Sequence, residues 1–264
     1  MMIHLANYQY DPEVAAELIN ASHVLQVTFQ QKSEKYPYVI YLPGRIAEPP
    51  QDPIPPTPKD QAPPVLYLKG WLPCSILEQL RPDSAGLPIT VSTCKTESIY
   101  CARSTFGHGL TWRSTVINGT AHALNFENAG ADENYKITEK DIKQNEKMWG
   151  LHQIINGIIP NEWENTRSPI KKEVDMVLVL RVDIDLKESH VRVRHGFNSW
   201  EPTWEPSHPE EYWQGTIPVW ETYGEPFHGD TSKEFPTRLK RFFEQQSRKN
   251  KGYAIAQAGR NSFP

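Results

Sequence analysis

At 264 residues the chain can bury a full core and sits at the upper end of what one β-barrel domain uses, so one domain with extensions is expected. Hydrophobic residues make up 38%, charged residues 23% and aromatic residues 11%, a balance that excludes disordered and fibrous classes. The formal net charge of −4 gives no global attraction for nucleic acid or anionic lipid, so neither is an expected partner.

Three cysteines, Cys74, Cys94 and Cys101, are too few and too widely spaced for a disulfide framework, and no C-x-x-C pair offers a metal site. Reduced thiols in a cytoplasmic protein are expected. The N-terminus has no basic start followed by an apolar run, and no stretch reaches the length needed to span a bilayer. Asn118-Gly119-Thr120 matches a glycosylation sequon, read here as a chance match.

In chain order, residues 11–20 read as a short helix with Asp11 as N-cap and Pro12 at its first position. Strands are predicted over 23–30, 36–42 and 65–69. Between the last two lie 22 residues, 43–64, with nine prolines, which excludes a helix or a central strand and predicts an inserted loop. Residues 73–80 suit a short helix. Strands are then expected over 87–95, 99–104 and 112–124. The clearest helix covers 138–156, opened by a Thr138/Asp141 capping box and stopped by Gly157. Strands follow over 174–184, 190–195 and 217–223, and a basic amphipathic helix over about 233–246. The domain reading is therefore 1–224 with the loop 43–64 inserted, and a tail, 225–264.

The chemistry concentrates between Ile99 and Val116. Two β-rich arms flank a glycine-containing centre, so a hairpin with its midpoint near His108 is expected. Arg103 and Arg113 would then face each other. Opposed like charges are destabilising unless an anion lies between them, and a phosphate meets that need. Ser104 and Ser114, each beside one arginine, could donate hydroxyls to the same oxygens. His108 has the pKa range for proton transfer. The competing reading makes both arginines surface residues held by nearby carboxylates. The tail's basic run has the same bland alternative, a solvated helix docked by Phe242 and Phe243.

Several local patterns, in order, resemble the pyridoxamine 5′-phosphate oxidase-like, FMN-binding split-barrel family, in its diverged branch that includes nitroimidazole-resistance proteins. They are Tyr38-Val39-Ile40, Leu66-Tyr67-Leu68-Lys69-Gly70, Ala102-Arg103-Ser104 with His108 and Arg113-Ser114 downstream, and Trp213-Gln214-Gly215-Thr216-Ile217-Pro218. The resemblance covers about residues 20–220. It implies a mainly β fold, a six-stranded antiparallel split barrel with peripheral helices, working as a homodimer with FMN at the interface. It also implies phosphate contacts from Arg103, Ser104, Arg113 and Ser114, with Lys69 a weaker candidate, Trp213 near the flavin ring and His108 at the reacting end. Departures cluster at the site: Lys69 replaces a histidine, Trp71 a serine, Gly107-His108 a His-His pair, and Thr111-Trp112 an asparagine-aromatic pair. The chain also lacks the "RLxP" ending of the true oxidases.

Three functions fit these residues. The first is an FMN-dependent oxidoreductase acting on a small organic substrate, with the aromatic segment 197–220 either lining a pocket for a flat or apolar substrate or simply covering the barrel or sealing the dimer. The second is a flavin-free acid/base enzyme, an isomerase or dehydratase, using His108. The third is a non-catalytic protein that binds flavin or haem. No nucleotide-binding P-loop, Rossmann, zincin or hydrolase-elbow motif is present.

Overall fold

The computed structural model describes residues 10–30, 34–51, 62–80, 84–126, 132–194, 211–229 and 234–259. The chain forms two compact units, one of Tyr8–Thr93 and Thr115–Val191, the other of Met1–Asn7, Cys94–Ser114 and Arg192–Pro264.

In the first unit, Asp11 caps helix α1 (Pro12–Asn20) by accepting from the backbone N–H of Glu13 and Val14, as its sequence predicts. The strands that follow are β1 (Leu25–Phe29), β2 (Tyr38–Leu42), β3 (Gly44–Ala47) and β4 (Val65–Gly70). After the short helix α2 (Cys74–Leu77) come the two long strands, β5 (Leu87–Cys101) and β6 (Gly109–Leu124), and later β7 (Leu178–Ile184). Their hydrogen-bonded order is β2-β1-β5-β6-β7-β4-β3. Strands β2 and β3 are halves of one strand bent at Pro43, and the Lys69 N–H donates to the Pro43 carbonyl at the corner, so the two ends of the order meet. The result is a six-stranded antiparallel barrel. The first residues of the proline-rich stretch are thus strand rather than loop, because Gly44 to Ala47 carry no proline and pair with β4.

Inward residues of successive strands form one core: Val27 and Phe29, Leu66 and Leu68, Ile89 and Val91, Ile117 and Ala121, Leu180 and Val182. Strand β4 is buried on both faces. Its outward Val65 and Tyr67 pack against Ile154 of helix α4 (Glu146–Ile158). The helix predicted over 138–156 divides into α3 (Glu139–Gln144) and α4. The Thr138/Asp141 capping box forms, but Asn145 leaves the helical conformation and its side chain caps α4 through the Met148 N–H. Asparagine gains more as an N-cap than inside a helix. Gly157 does not stop the helix.

Two short helices, α5 (Glu162–Asn165) and α6 (Lys171–Asp175), lead into β7. The remaining elements are β8 (His190–Arg194), β9 (Gly215–Pro218) and α7 (Thr237–Ala258) after β7, a 3-10 turn (Glu78–Leu80) directly after α2, and a second (Thr105–Gly107) inside the β5–β6 hairpin. The tail helix therefore starts later and runs further than its periodicity suggested. It shares a compact unit with the hairpin tip, so the units do not follow a division at residue 224. Residues 52–61 of the proline-rich loop, together with Trp200 and Trp204, lie outside the described residues. Among the described residues no helix is long and apolar enough to cross a membrane.

Lys147 of α4 is buried, 6% exposed, and burial pushes its ammonium below the usual lysine range, opposed by Asp175 and reinforced by Lys171. The folded chain therefore releases this proton at a lower pH than the unfolded chain, and stability rises with pH across the window between those two values. Lys147→Met is expected to remove that alkaline rise and to raise stability at neutral pH by about 1–3 kcal/mol, read by urea unfolding at neutral and alkaline pH.

Candidate functional site

The predicted hairpin forms, but its centre differs. Strand β5 ends at Cys101 and β6 begins at Gly109, so the connection is residues 102–108, centred on Thr105 rather than on His108. The two predicted strands over 87–95 and 99–104 are one continuous strand. Arg103 and Ser104 consequently sit in the connection, past the end of β5, and Arg103 is not the cross-strand partner of Arg113. Gly109 starts β6 under the Tyr100 ring, where a Cβ would run into the phenol carbon. The Tyr100 hydroxyl in turn accepts from Arg194 of β8.

With the centre at Thr105, the residue that reaches Arg113 is Glu97. The Arg113 Nε donates to Glu97 Oε1 at 2.8 Å, and both residues are buried, 8% and 6% exposed. Beside this pair the hydroxyls of Ser98 and Thr111 are 2.7 Å apart and also buried. Adjacent Glu97 and Ser98 thus reach two residues on one face of β6, so the in–out alternation of β5 slips by one residue here, as it does at a bulge. The open face of the Arg113 guanidinium lies over the Tyr253 ring of α7, 3.9 Å from its centroid. A charge of this kind needs a partner when buried, and the chain supplies a carboxylate and an aromatic face. The surface-carboxylate alternative is therefore half right: a carboxylate holds Arg113, but in the interior.

Ser114 follows Arg113 in an unbroken strand, so the two side chains project from opposite faces and do not converge on one ligand atom. Arg103 and Ser104 present a different picture. The Arg103 Nε and the Ser104 Oγ are both fully buried and neither has a hydrogen-bond partner. Burying a donor without an acceptor is costly, more so for a charged group, and an acceptor-rich ligand is the kind of group that would relieve both. Phosphate oxygens, acceptors only, fit that donor set.

His108 ends the 3-10 turn and is exposed, with Nδ1 3.1 Å from the Ser104 carbonyl oxygen. A carbonyl only accepts, so Nδ1 carries the proton and Nε2 of the neutral ring keeps its lone pair for another partner. Trp213 precedes β9 and is 65% exposed, its ring lying against Gly215. Lys69 belongs to the barrel unit, where it lines a cavity of ≈ 340 Å³ with Tyr41, Leu42, Gly70 and Trp71. On the sheet made by β9, β5 and β6, the face opposite Tyr100 carries the cross-strand pair Ile99 and Ile217 together with Leu110, all exposed. Sequence reasoning missed Glu97, Tyr100, Arg194 and Tyr253. The one available signal was hairpin symmetry, since Glu97 and Arg113 are equidistant from Thr105.

No protein-family model matches the chain, and no curated protein does. Solved structures do. The FAD and heme binding protein from Mycobacterium smegmatis aligns over 88% of this chain and 95% of its own, with a TM-score of 0.61 and 16% identity. The flavocytochrome Anf3 from Azotobacter vinelandii aligns over 88% of this chain and 90% of its own, with a TM-score of 0.60 and 17% identity. These likenesses establish the fold. The chain is a split-barrel protein with peripheral helices, the fold of the pyridoxamine 5′-phosphate oxidase-like proteins whose motifs its sequence resembles.

Removing the Glu97 carboxylate would leave the Arg113 charge buried without its acceptor. Glu97→Ala is expected to lower the unfolding free energy by roughly 3–5 kcal/mol, measured by urea denaturation. A loss below about 1 kcal/mol would mean that the pair is open to water.

Proposed function

We propose that the chain binds a flavin, FMN by its phosphate chemistry, and acts as an oxidoreductase on a small organic substrate. One observation carries the reading: the paired, fully buried and unsatisfied donors Arg103 Nε and Ser104 Oγ, at the position where the split-barrel motif puts phosphate contacts. The fold supports it, because two of the solved proteins it matches are named for binding FAD and heme and as a flavocytochrome. A bound flavin would supply the electron chemistry. The chain would supply the rest: Arg103 and Ser104 hold the phosphate, and the exposed Trp213 offers an aromatic face for a ring. His108, oriented by the Ser104 carbonyl, accepts or returns a proton at Nε2.

Lys69 belongs to the other unit, and we assign it no part in these contacts. We assign Arg113 and Ser114 no shared phosphate, because they leave β6 on opposite faces. The exposed apolar face around Ile99, Ile217 and Leu110 is where a second copy of the chain would dock, consistent with a homodimer. Exposed Tyr212, Trp213 and Trp220 favour a flat or apolar substrate.

The absorption spectrum of the protein as purified, followed by FMN titration of the apoprotein, tests the reading. A flavin spectrum is expected. Arg103→Ala is expected to weaken FMN binding roughly 10- to 100-fold, the loss of a charge-assisted hydrogen bond. A haem spectrum without flavin would favour the haem-binding alternative, and colourless protein that takes up neither would remove the cofactor reading. Activity retained without any flavin but lost in His108→Ala would favour the acid/base enzyme.

A further inference from the structure

We infer that Arg113 is the docking residue of helix α7 and not a cofactor ligand, so that the two arginines of the motif do separate work in this chain. The inference rests on the flavin reading for Arg103 and concerns residues that reading leaves unexplained.

Helix α7 is 22 residues long, yet it buries only Ala254, Gln257 and Ala258, all in its last two turns. Two alanines and a glutamine remove little apolar surface from water. Something else must fix those turns to the sheet. Two contacts do: the Tyr253 ring on the Arg113 guanidinium at 3.9 Å, and the Thr216 hydroxyl donating to the Ala258 carbonyl at 2.8 Å. Earlier turns are tied to the segment before the helix. The Tyr223 N–H donates to the Ser247 hydroxyl, and the Asn250 amide to the Glu221 carbonyl.

The same guanidinium is poorly placed to take a phosphate. Its Nε already donates to Glu97, one of its faces is covered by Tyr253, and an anion arriving there would meet the Glu97 carboxylate. Arg103 has the opposite character, with a buried Nε that lacks any acceptor. An anion satisfies Arg103 and adds nothing to Arg113. Glu97 is then a positioning residue, holding the guanidinium against the tyrosine ring.

The test uses the full-length protein, FMN titration followed by flavin fluorescence, and amide hydrogen exchange over residues 250–258. Because removing one member of a buried pair risks unfolding, the pair is replaced together, Glu97→Leu with Arg113→Met, and Tyr253→Ala is made separately with the pair intact. Both proteins are expected to bind FMN within about threefold of wild type while exchange at 250–258 speeds up at least tenfold. Arg103→Ala should do the reverse, losing FMN and keeping α7 protected. The inference is overturned if the double variant loses FMN as Arg103→Ala does, or if α7 keeps its protection in both the double variant and Tyr253→Ala. If wild type itself takes up no FMN, the flavin reading fails, and hydrogen exchange alone decides whether Arg113 docks α7.

Discussion

A positive charge buried beneath a β-hairpin constrains everything around it. Arg113 cannot sit at 8% exposure without a carboxylate, and Glu97 can reach it only if β5 and β6 pair about a connection centred on Thr105. That register determines the rest of the hairpin. It sets Ser98 against Thr111, places Gly109 under Tyr100, and leaves residues 102–108 to turn the chain. Arg103 and Ser104 fall in that connection, where neither strand offers them acceptors. The ion pair thus produces the unsatisfied donors by fixing where the strands end.

Burial and satisfaction then separate residues that look equivalent in the motif. Both arginines carry the same charge, and both have a serine next to them. Arg113 is surrounded by its own chain, by Glu97 on the neighbouring strand and Tyr253 on the terminal helix. Arg103 has its Nε shielded from water and nothing to donate to. A buried charge that meets its carboxylate is settled within the structure, whereas a donor shielded from water without an acceptor carries an uncompensated desolvation cost.

The barrel depends on a different device, a strand bent at Pro43. Proline there has no N–H to lose, and its carbonyl accepts from Lys69 so that the ladder continues around the corner. One strand thereby serves two neighbours, β1 on one side and β4 on the other, and a seven-segment order closes as six strands. Helix α4 covers the outside of β4, which explains why that strand is apolar at four consecutive positions.

Much of this was legible in the residues. Alternating β-branched and aromatic runs marked β1, β2, β4, β6 and β8. Asp11 and the Thr138/Asp141 box marked helix starts, because capping is local chemistry between residues two or three apart. Motif order indicated the split barrel, and the segment holding Arg103, Ser104 and His108 was singled out. What the sequence could not set was register. Placing the hairpin centre at His108 instead of Thr105 changed the partner of Arg113 from Glu97 to Arg103, because cross-strand neighbours depend on the sum of two positions and a short shift in the turn re-pairs every residue. The contact of Tyr253 with Arg113 joins positions 140 residues apart, and no local pattern encodes that distance. Only the packed tertiary structure decided that the Arg113 Nε meets a carboxylate of its own chain while the Arg103 Nε lies shielded from water without an acceptor.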